Sequence, residues 1–193
     1  MFKTLVQPIL TYGSDVWANN KSALNKIDKV FLRFIRCSLS TKATTSNIIS
    51  IGESGQLPPS VACKISLLNY CNRLHNMPDT WIAKKVYNEL LNFHEMGFNN
   101  WVSDAYRLAS SYNLNISSDV PTFKKTCKKY IHEHYINDWL SKMNNIIENP
   151  ILRTYTSFKQ NFGQETYLRS VKESNYRKAI ARLICRSHIL ALD

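Results

Sequence analysis

Close pairs of carboxylates are missing from this chain: no two of its 14 Asp and Glu residues are adjacent, and none lie three or four apart. Nucleotidyl transfer draws carboxylates onto two metal ions about 3.5–4 Å apart. The nearest pair, Glu133 and Asp138, falls on different faces of a helix, which argues against polymerase or nuclease chemistry. The glycine-rich phosphate cradles G-x-x-x-x-G-K-(S/T) and G-x-G-x-x-G are absent, as is the nucleophile elbow G-x-S-x-G. Five cysteines (Cys37, Cys63, Cys71, Cys127, Cys185) are odd in number, widely spread and never C-x-x-C, so they form no disulfide framework and suit a reducing compartment as core thiols. Cys71 and His75 stand at i, i+4, yet no second pair with zinc-ligand spacing follows, and His132 and His134 point two ways on a helix. No apolar run approaches the ~18–20 residues that cross a bilayer. Gln7, Pro8 and Thr11 break up the first apolar stretch, which excludes a signal-peptide core. No catalytic residue, metal, cofactor or membrane is expected, and an intracellular location, nucleus or cytoplasm, follows.

What the chain has in excess is positive charge. Lys and Arg total 25 against those 14 acids, a formal +11. The excess comes in blocks: net +5 over residues 21–42, +3 over 120–142 and +6 over 153–188, around a middle (43–119) at −1. Basic blocks about a near-neutral centre suit a surface that faces a polyanion. A hydrophobic content of 44% in 193 residues is too high for a disordered tail and allows one sizeable core or two small ones.

The periodicity is helical nearly throughout. Residues 22–39 put Leu24, Ile27, Phe31, Phe34 and Ile35 on one face, with Ser22 as N-cap. A helix after Pro58-Pro59 buries Val61, Ile65, Leu68 and Cys71 or Leu74. A third, capped by Asp79, buries Ile82, Val86, Leu90 and Phe93, and a fourth opens at Asn99 or Asn100. Ser117 to Thr122, with Pro121, introduces a long helix through Phe123, Cys127, Tyr130, Ile131, Ile136, Leu140 and Met143. Asn149-Pro150 starts another that ends at Gly163, and a last one from Ser174 or Asn175 packs Tyr176, Ile180 and Leu183 inward. Thr45 to Ile51 is the best strand candidate. The expected architecture is all-α, six to eight helices in one or two packed bundles.

Three basic stripes lie on these helices. Lys26, Lys29, Arg33 and Arg36 recur at three, four and three opposite the apolar face. Lys124, Lys125, Lys128 and Lys129 cluster on the long helix. Lys178, Arg182 and Arg186 stand at i, i+4, i+8, with Arg177 beside them. Such ridges can track a phosphate backbone. A solvated helix face is the bland reading of any one of them, and three with little acidic interleaving favour the nucleic-acid reading. Tyr106, Trp139 and Tyr167 fall off the apolar registers and are candidates for stacking on bases.

The opening Lys3-Thr4-Leu5-Val6-Gln7-Pro8-Ile9-Leu10-Thr11-Tyr12-Gly13-Ser14-Asp15-Val16-Trp17 resembles the stretch just past the catalytic palm in reverse transcriptases of non-LTR (LINE-type, jockey-like) retrotransposons. Leu24 to Leu39, with Lys26, Ile27, Lys29, Phe31, Arg33 and Phe34, is similar to that family's next helix. Gly52-Glu53-Ser54-Gly55-Gln56-Leu57-Pro58 is similar to its Gly-Glu-x-Gly-x-x-Pro turn. Asn175-Tyr176-Arg177-Lys178-Ala179, Arg182-Leu183 and Ser187-His188 resemble a stretch near its end, although Ile184 and Arg186 depart from the family's basic residue and serine. These anchors stand in order along nearly the whole chain. The resemblance implies a thumb-like segment over residues 1–75 and a helical extension over 76–193. It also implies that the palm with its catalytic aspartates lies outside the chain, and it leaves out the Cys/His zinc knuckle that often follows His188. The chain is then a non-catalytic fragment that holds template–primer or element RNA by backbone contacts. The alternative is a degenerate remnant without nucleic-acid contact, at most a helical protein-interaction module. The partners expected are RNA or DNA backbone, the missing palm and fingers, or a helical protein.

Overall fold

The structure, a computed structural model, describes residues 2–145, 147, 150 and 152–185. After a π-helical turn at Phe2–Val6, eleven α-helices follow among the described residues: α1 (Gln7–Leu10), α2 (Ser14–Trp17), α3 (Lys21–Leu39), α4 (Asn47–Ser54), α5 (Pro59–His75), α6 (Ile82–Glu95), α7 (Trp101–Ser111), α8 (Val120–Asn144), α9 (Leu152–Phe158), α10 (Tyr167–Ser170) and α11 (Ser174–Ile184). The all-α expectation holds, and no strand is present among the described residues. The expected six to eight helices become eleven because α1, α2 and α10 are single turns of four residues, too short for a periodicity to register, and because α4 replaces the expected strand.

Two compact units share the chain. Unit 1 comprises residues 1–27 and 59–134, unit 2 residues 28–58 and 135–193. The division does not follow chain order at residue 75: residues 28–58 of the 1–75 segment belong to the second unit.

In unit 1, α5 is the central element. Val61, Cys63, Leu67, Leu68, Cys71, Asn72 and Leu74 are all buried along it. A helix enclosed on this many sides keeps no single apolar stripe. The buried amide of Asn72 is put to use: Nδ2 donates to the carbonyls of Ile116 and Ser118, each at 2.7 Å, and so ties down the loop between α7 and α8. Asn100 opens α7 through a capping box with Ser103. Asp119 accepts from Thr122 N at 3.0 Å to start α8, and Asn20, rather than Ser22, accepts from Ala23 N at 3.1 Å at the start of α3.

Helix α6 departs from its expected face. Lys84 and Tyr87 are buried, while Ile82, Val86 and Phe93 are 80%, 54% and 49% exposed. Polar anchoring sets the rotation. Lys84 Nζ donates at 2.6 Å to the carbonyl of His75 at the end of α5, where a cation also meets the negative end of the helix dipole. The Tyr87 hydroxyl lies 3.3 Å from His75 Nδ1 and 3.2 Å from the Tyr106 hydroxyl. Tyr106 is therefore held by its hydroxyl instead of standing free for a base.

Unit 2 is built around α4. Thr45 to Ile51, expected as a strand, forms the approach to α4 and its first turns; Ile49 through Ser54 are all buried, so its apolar residues mark no one face. Gly52 sits where a Cβ would come within 2.5 Å of Trp139 Cζ2 and 2.6 Å of the Tyr155 hydroxyl. Gly55 ends the helix at φ +59°, in the left-handed region, and a Cβ there would meet the backbone of Gly163 and Gln164. Trp139, expected as a stacking surface, is instead core: it is buried and its Nε1 donates to the Ile48 carbonyl at 2.9 Å. Helix α11 is also rotated from expectation. Ala181 and Cys185 are buried, whereas Tyr176 and Leu183 are exposed, because the small side chains let the helix lie close.

Replacing Gly52 by alanine is expected to cost about 1–3 kcal/mol, because neither the indole nor the tyrosine of a packed core can retreat freely. Gly163→Ala, where nothing lies within 4 Å of the added carbon, is expected to be neutral or slightly stabilising. Urea midpoints at neutral pH separate the two, and equal midpoints contradict the close packing at Gly52.

Candidate nucleic-acid interface

The sequence places cationic side chains on three helices; the fold decides which of them stay available. On α8, Lys124, Lys125, Lys128 and Lys129 are all exposed within two turns of unit 1. The one carboxylate paired with them is that of Glu133, 4.0 Å from Lys129 Nζ and well exposed, a separation at which an exposed pair is worth little. The buried side of the same turns is Phe123, Cys127 and Ile131. Burial pushes the Cys127 thiol up to about 12, so it stays protonated. His132, on the same helix, is held below the ordinary histidine range by burial, then by Lys128 and Lys3, so it adds no charge to this face near neutral pH. Edge-on contact with Tyr112 fixes His134 at 4.9 Å between ring centres.

On α3, Lys26 is exposed and belongs to unit 1, whereas Lys29 and Arg33 are exposed and belong to unit 2. Arg36 is engaged: its Nε and Nη2 donate to the Thr45 carbonyl at 3.2 and 2.6 Å, and Nη2 also reaches Asn47 Oδ1. It clamps the approach to α4. On α11, Lys178 is exposed, Arg177 Nη1 donates to the Val171 carbonyl at 3.2 Å, and Arg182 Nε donates to the Ser40 carbonyl at 2.9 Å. Arg186 lies outside the described residues.

One cleft in unit 2 takes residues from both α3 and α11, but α3 lines it with its apolar side and not with its basic stripe. The C-terminal half of α3 (Phe34, Ser38) and α11 (Arg177, Lys178) line one cleft of about 200 Å³ with the side chains of Gln56 and Gln164. The lining mixes Arg177, Lys178 and neutral polar groups with the apolar Phe34, Ile35, Leu39, Leu168 and Ala181. Gln56, Gln164 and Ser174 escaped the sequence reading, since their role follows from contacts between distant segments. Tyr167, the third expected stacking residue, is committed elsewhere: its hydroxyl donates to Glu53 Oε2 at 2.7 Å.

Glu53 supports the floor of this cleft through its neighbours Ser54 and Gln56. It is buried, accepts from the Tyr155 hydroxyl at 3.0 Å through Oε1 and from Tyr167 through Oε2, and its carbonyl accepts from Glu165 N at 3.3 Å. Burial raises its carboxyl above the ordinary range. The hydroxyls of Tyr167 and Tyr155 pull the other way, Glu165 adds to the rise and Lys159 opposes it. Lys159, itself buried, binds the Glu165 carboxylate and the Gly163 carbonyl. Four of the five cysteines are buried, as the sequence suggested, and Cys37 is exposed. No group of three or more potential metal ligands converges among the described residues. No helix among them is long and apolar enough to cross a membrane.

No protein-family model matches the chain, and neither does any curated protein or solved structure.

Because the Glu53 pKa is higher in the fold than in the unfolded chain, folding favours its protonated form. That contribution is complete below the ordinary carboxyl value of about 4.3 and is lost as pH rises through the raised value. Glu53→Gln keeps the side chain neutral throughout. Its urea midpoint relative to the wild type is expected to move in the variant's favour between pH 4 and pH 7; a difference that stays flat over that range excludes the burial effect.

Proposed function

We propose that the chain is the non-catalytic thumb and post-thumb region of a LINE-type reverse transcriptase, and that it holds nucleic acid by the phosphate backbone. The ordered anchors from Gln7 to His188 support the family reading. The observation that carries the binding reading is the exposed four-lysine face of α8. Backbone contacts position a strand without reading its sequence, and each neutralised phosphate releases counterions, so affinity falls steeply with salt. In unit 2, Lys29, Arg33 and Lys178 are further exposed cations that a phosphate backbone could meet. The widely spaced carboxylates leave polymerisation to a palm outside this chain.

Exposed apolar side chains favour a second reading, a helical protein-interaction module. Ile82, Val86 and Phe93 on α6, and Leu5, Ile9, Tyr12 and Val16 at the start, recur at helical spacing on the surface. Apolar exposure of this kind marks contact surfaces. Nucleic-acid binding that is absent at low salt, combined with self-association in size-exclusion chromatography, selects this reading over the first.

Anisotropy titrations with a labelled duplex at several salt concentrations are expected to show sequence-independent binding. The log–log slope should be about −0.9 per phosphate contacted. Replacing Lys124, Lys125, Lys128 and Lys129 together by alanine is expected to make the slope shallower by roughly three to four. Absence of binding at low salt, or a slope unchanged in the quadruple variant, rejects the assignment of this face.

A further inference from the structure

Helix α6 turns outward a stripe that nothing among the described residues covers. Ile82, Val86, Glu89, Phe93 and Met96 stand at spacings of four, three, four and three, the heptad seam by which one helix packs on another. All five are exposed, Ile82 and Met96 by 80% and 71%. Phe98, also exposed, extends the stripe by lying edge-on to Phe93 at 6.1 Å between ring centres. The other side of α6 is committed to the interior of unit 1 through Lys84 and Tyr87, so the helix cannot turn to hide the seam. Apolar surface of this make-up comes to on the order of 500 Å² per chain. Two such faces reach roughly the 1,000 Å² at which a biological interface begins.

The charges on the stripe point to its occupant. Glu89 interrupts the apolar seam, and Lys85 lies four residues before it, toward the same edge of the stripe. Both are exposed, and neither forms an ion pair among the described residues. A two-fold axis perpendicular to the helix sets that edge against its own copy running the other way. With the axis between Tyr87 and Asn88, Ile82 comes level with Phe93 of the second copy, and Val86 with Glu89 of the second copy. Lys85 then falls within one residue, about 1.5 Å along the helix, of that same carboxylate, and the symmetry repeats the pair. We propose that α6 packs on α6 of a second copy in this antiparallel register and forms a two-fold dimer through unit 1. A parallel pair would set Glu89 against Glu89 in the seam. A purely apolar partner helix would desolvate the carboxylate without giving it a cation, which is costly. The inference goes beyond the nucleic-acid reading and does not depend on it, since the lysine face of α8 contributes no residue to this seam.

Sedimentation equilibrium of the full chain, without nucleic acid, is expected to show a mass that rises from one chain to two with a Kd of roughly 10–100 µM, as suits an interface at the small end of the range. The formal +11 on each chain makes copies repel, so pairing should tighten as salt rises to about 0.5 M, the reverse of phosphate binding. Lys85→Glu and Glu89→Lys each set like charges against one another twice in the dimer and are expected to weaken it at least roughly ten-fold. Net repulsion alone would instead make the first variant associate more and the second less. The double variant restores opposite charges in the same register and should return to within about three-fold of the wild type. A chain that stays monomeric to about 200 µM leaves the face to another partner and overturns the proposal. Association that ignores both single swaps, or that the double variant fails to recover, lies on another surface or in another register and overturns it too. Charge-swap-sensitive dimers of a chain that binds no duplex reject the lysine face alone, and duplex binding by a strict monomer rejects the pairing alone.

Discussion

The carboxylate of Glu53 is shut off from water and takes its hydrogen bonds from the hydroxyls of Tyr155 and Tyr167, 102 and 114 residues further along the chain. A buried ionisable group with unmet hydrogen bonds is among the most costly features a core can hold, so this contact fixes which segments must meet in unit 2. The glycines on either side make the meeting sterically possible. Gly52 leaves room for the Trp139 indole and the Tyr155 ring, and Gly55 lets the chain turn against the backbone of residues 163 and 164. Tyr155, Tyr167, Gln164 and the Lys159–Glu165 pair are thereby gathered around one end of α4, and the cleft against α11 takes its walls from the same segments. The seven-residue pattern Gly52 to Pro58 that the sequence marked as a turn, of which Gly52 to Ser54 in fact end α4, is the point on which unit 2 closes.

Unit 1 is also held by buried polar groups. Asn72 and Lys84 spend their donors on backbone carbonyls that end helices or loops, while Tyr87, His75 and Tyr106 share hydroxyl and imidazole contacts in the interior. These polar anchors outweigh the apolar stripe of α6, which is why Ile82, Val86 and Phe93 face outward.

Charge and packing divide the nominated cations cleanly. Lysines went outward: Lys26, Lys29, Lys124, Lys125, Lys128, Lys129 and Lys178 are all exposed. Arginines at helix ends went to carbonyls: Arg36, Arg177 and Arg182 each donate to backbone oxygen. The guanidinium's several donors in a fixed fork suit it to that structural task, whereas an ammonium on a flexible stem is easily left in solvent. Arg33, exposed on α3, stands apart from the other arginines in this respect.

Local chemistry made much of the fold legible in the sequence. The span of α3, the Asn100 opening of α7, the Asp119 and Pro121 start of α8 and the helical class as a whole rest on capping residues and 3.6-residue periods, which act within a few residues of one another. Most of the apolar register of α5 (Val61, Leu68, Cys71, Leu74) was legible for the same reason, whereas on α8 the expected Tyr130 is exposed and Trp139 takes a core place. Faces of α6 and α11, the helical state of α4, the burial of Trp139 and the commitment of Tyr106 and Tyr167 were decided only by tertiary contacts. A buried lysine, a carboxylate between two tyrosines and a missing Cβ act on partners tens of residues away, and no spacing along the chain records such a partner. The sequence by itself thus determined the helical class, where several of the longer helices begin and which helices are basic. The tertiary structure decided which side of each helix faces inward, and with it which charges stay exposed, because the free energy of satisfying a buried polar group exceeds that of turning a few apolar side chains toward water.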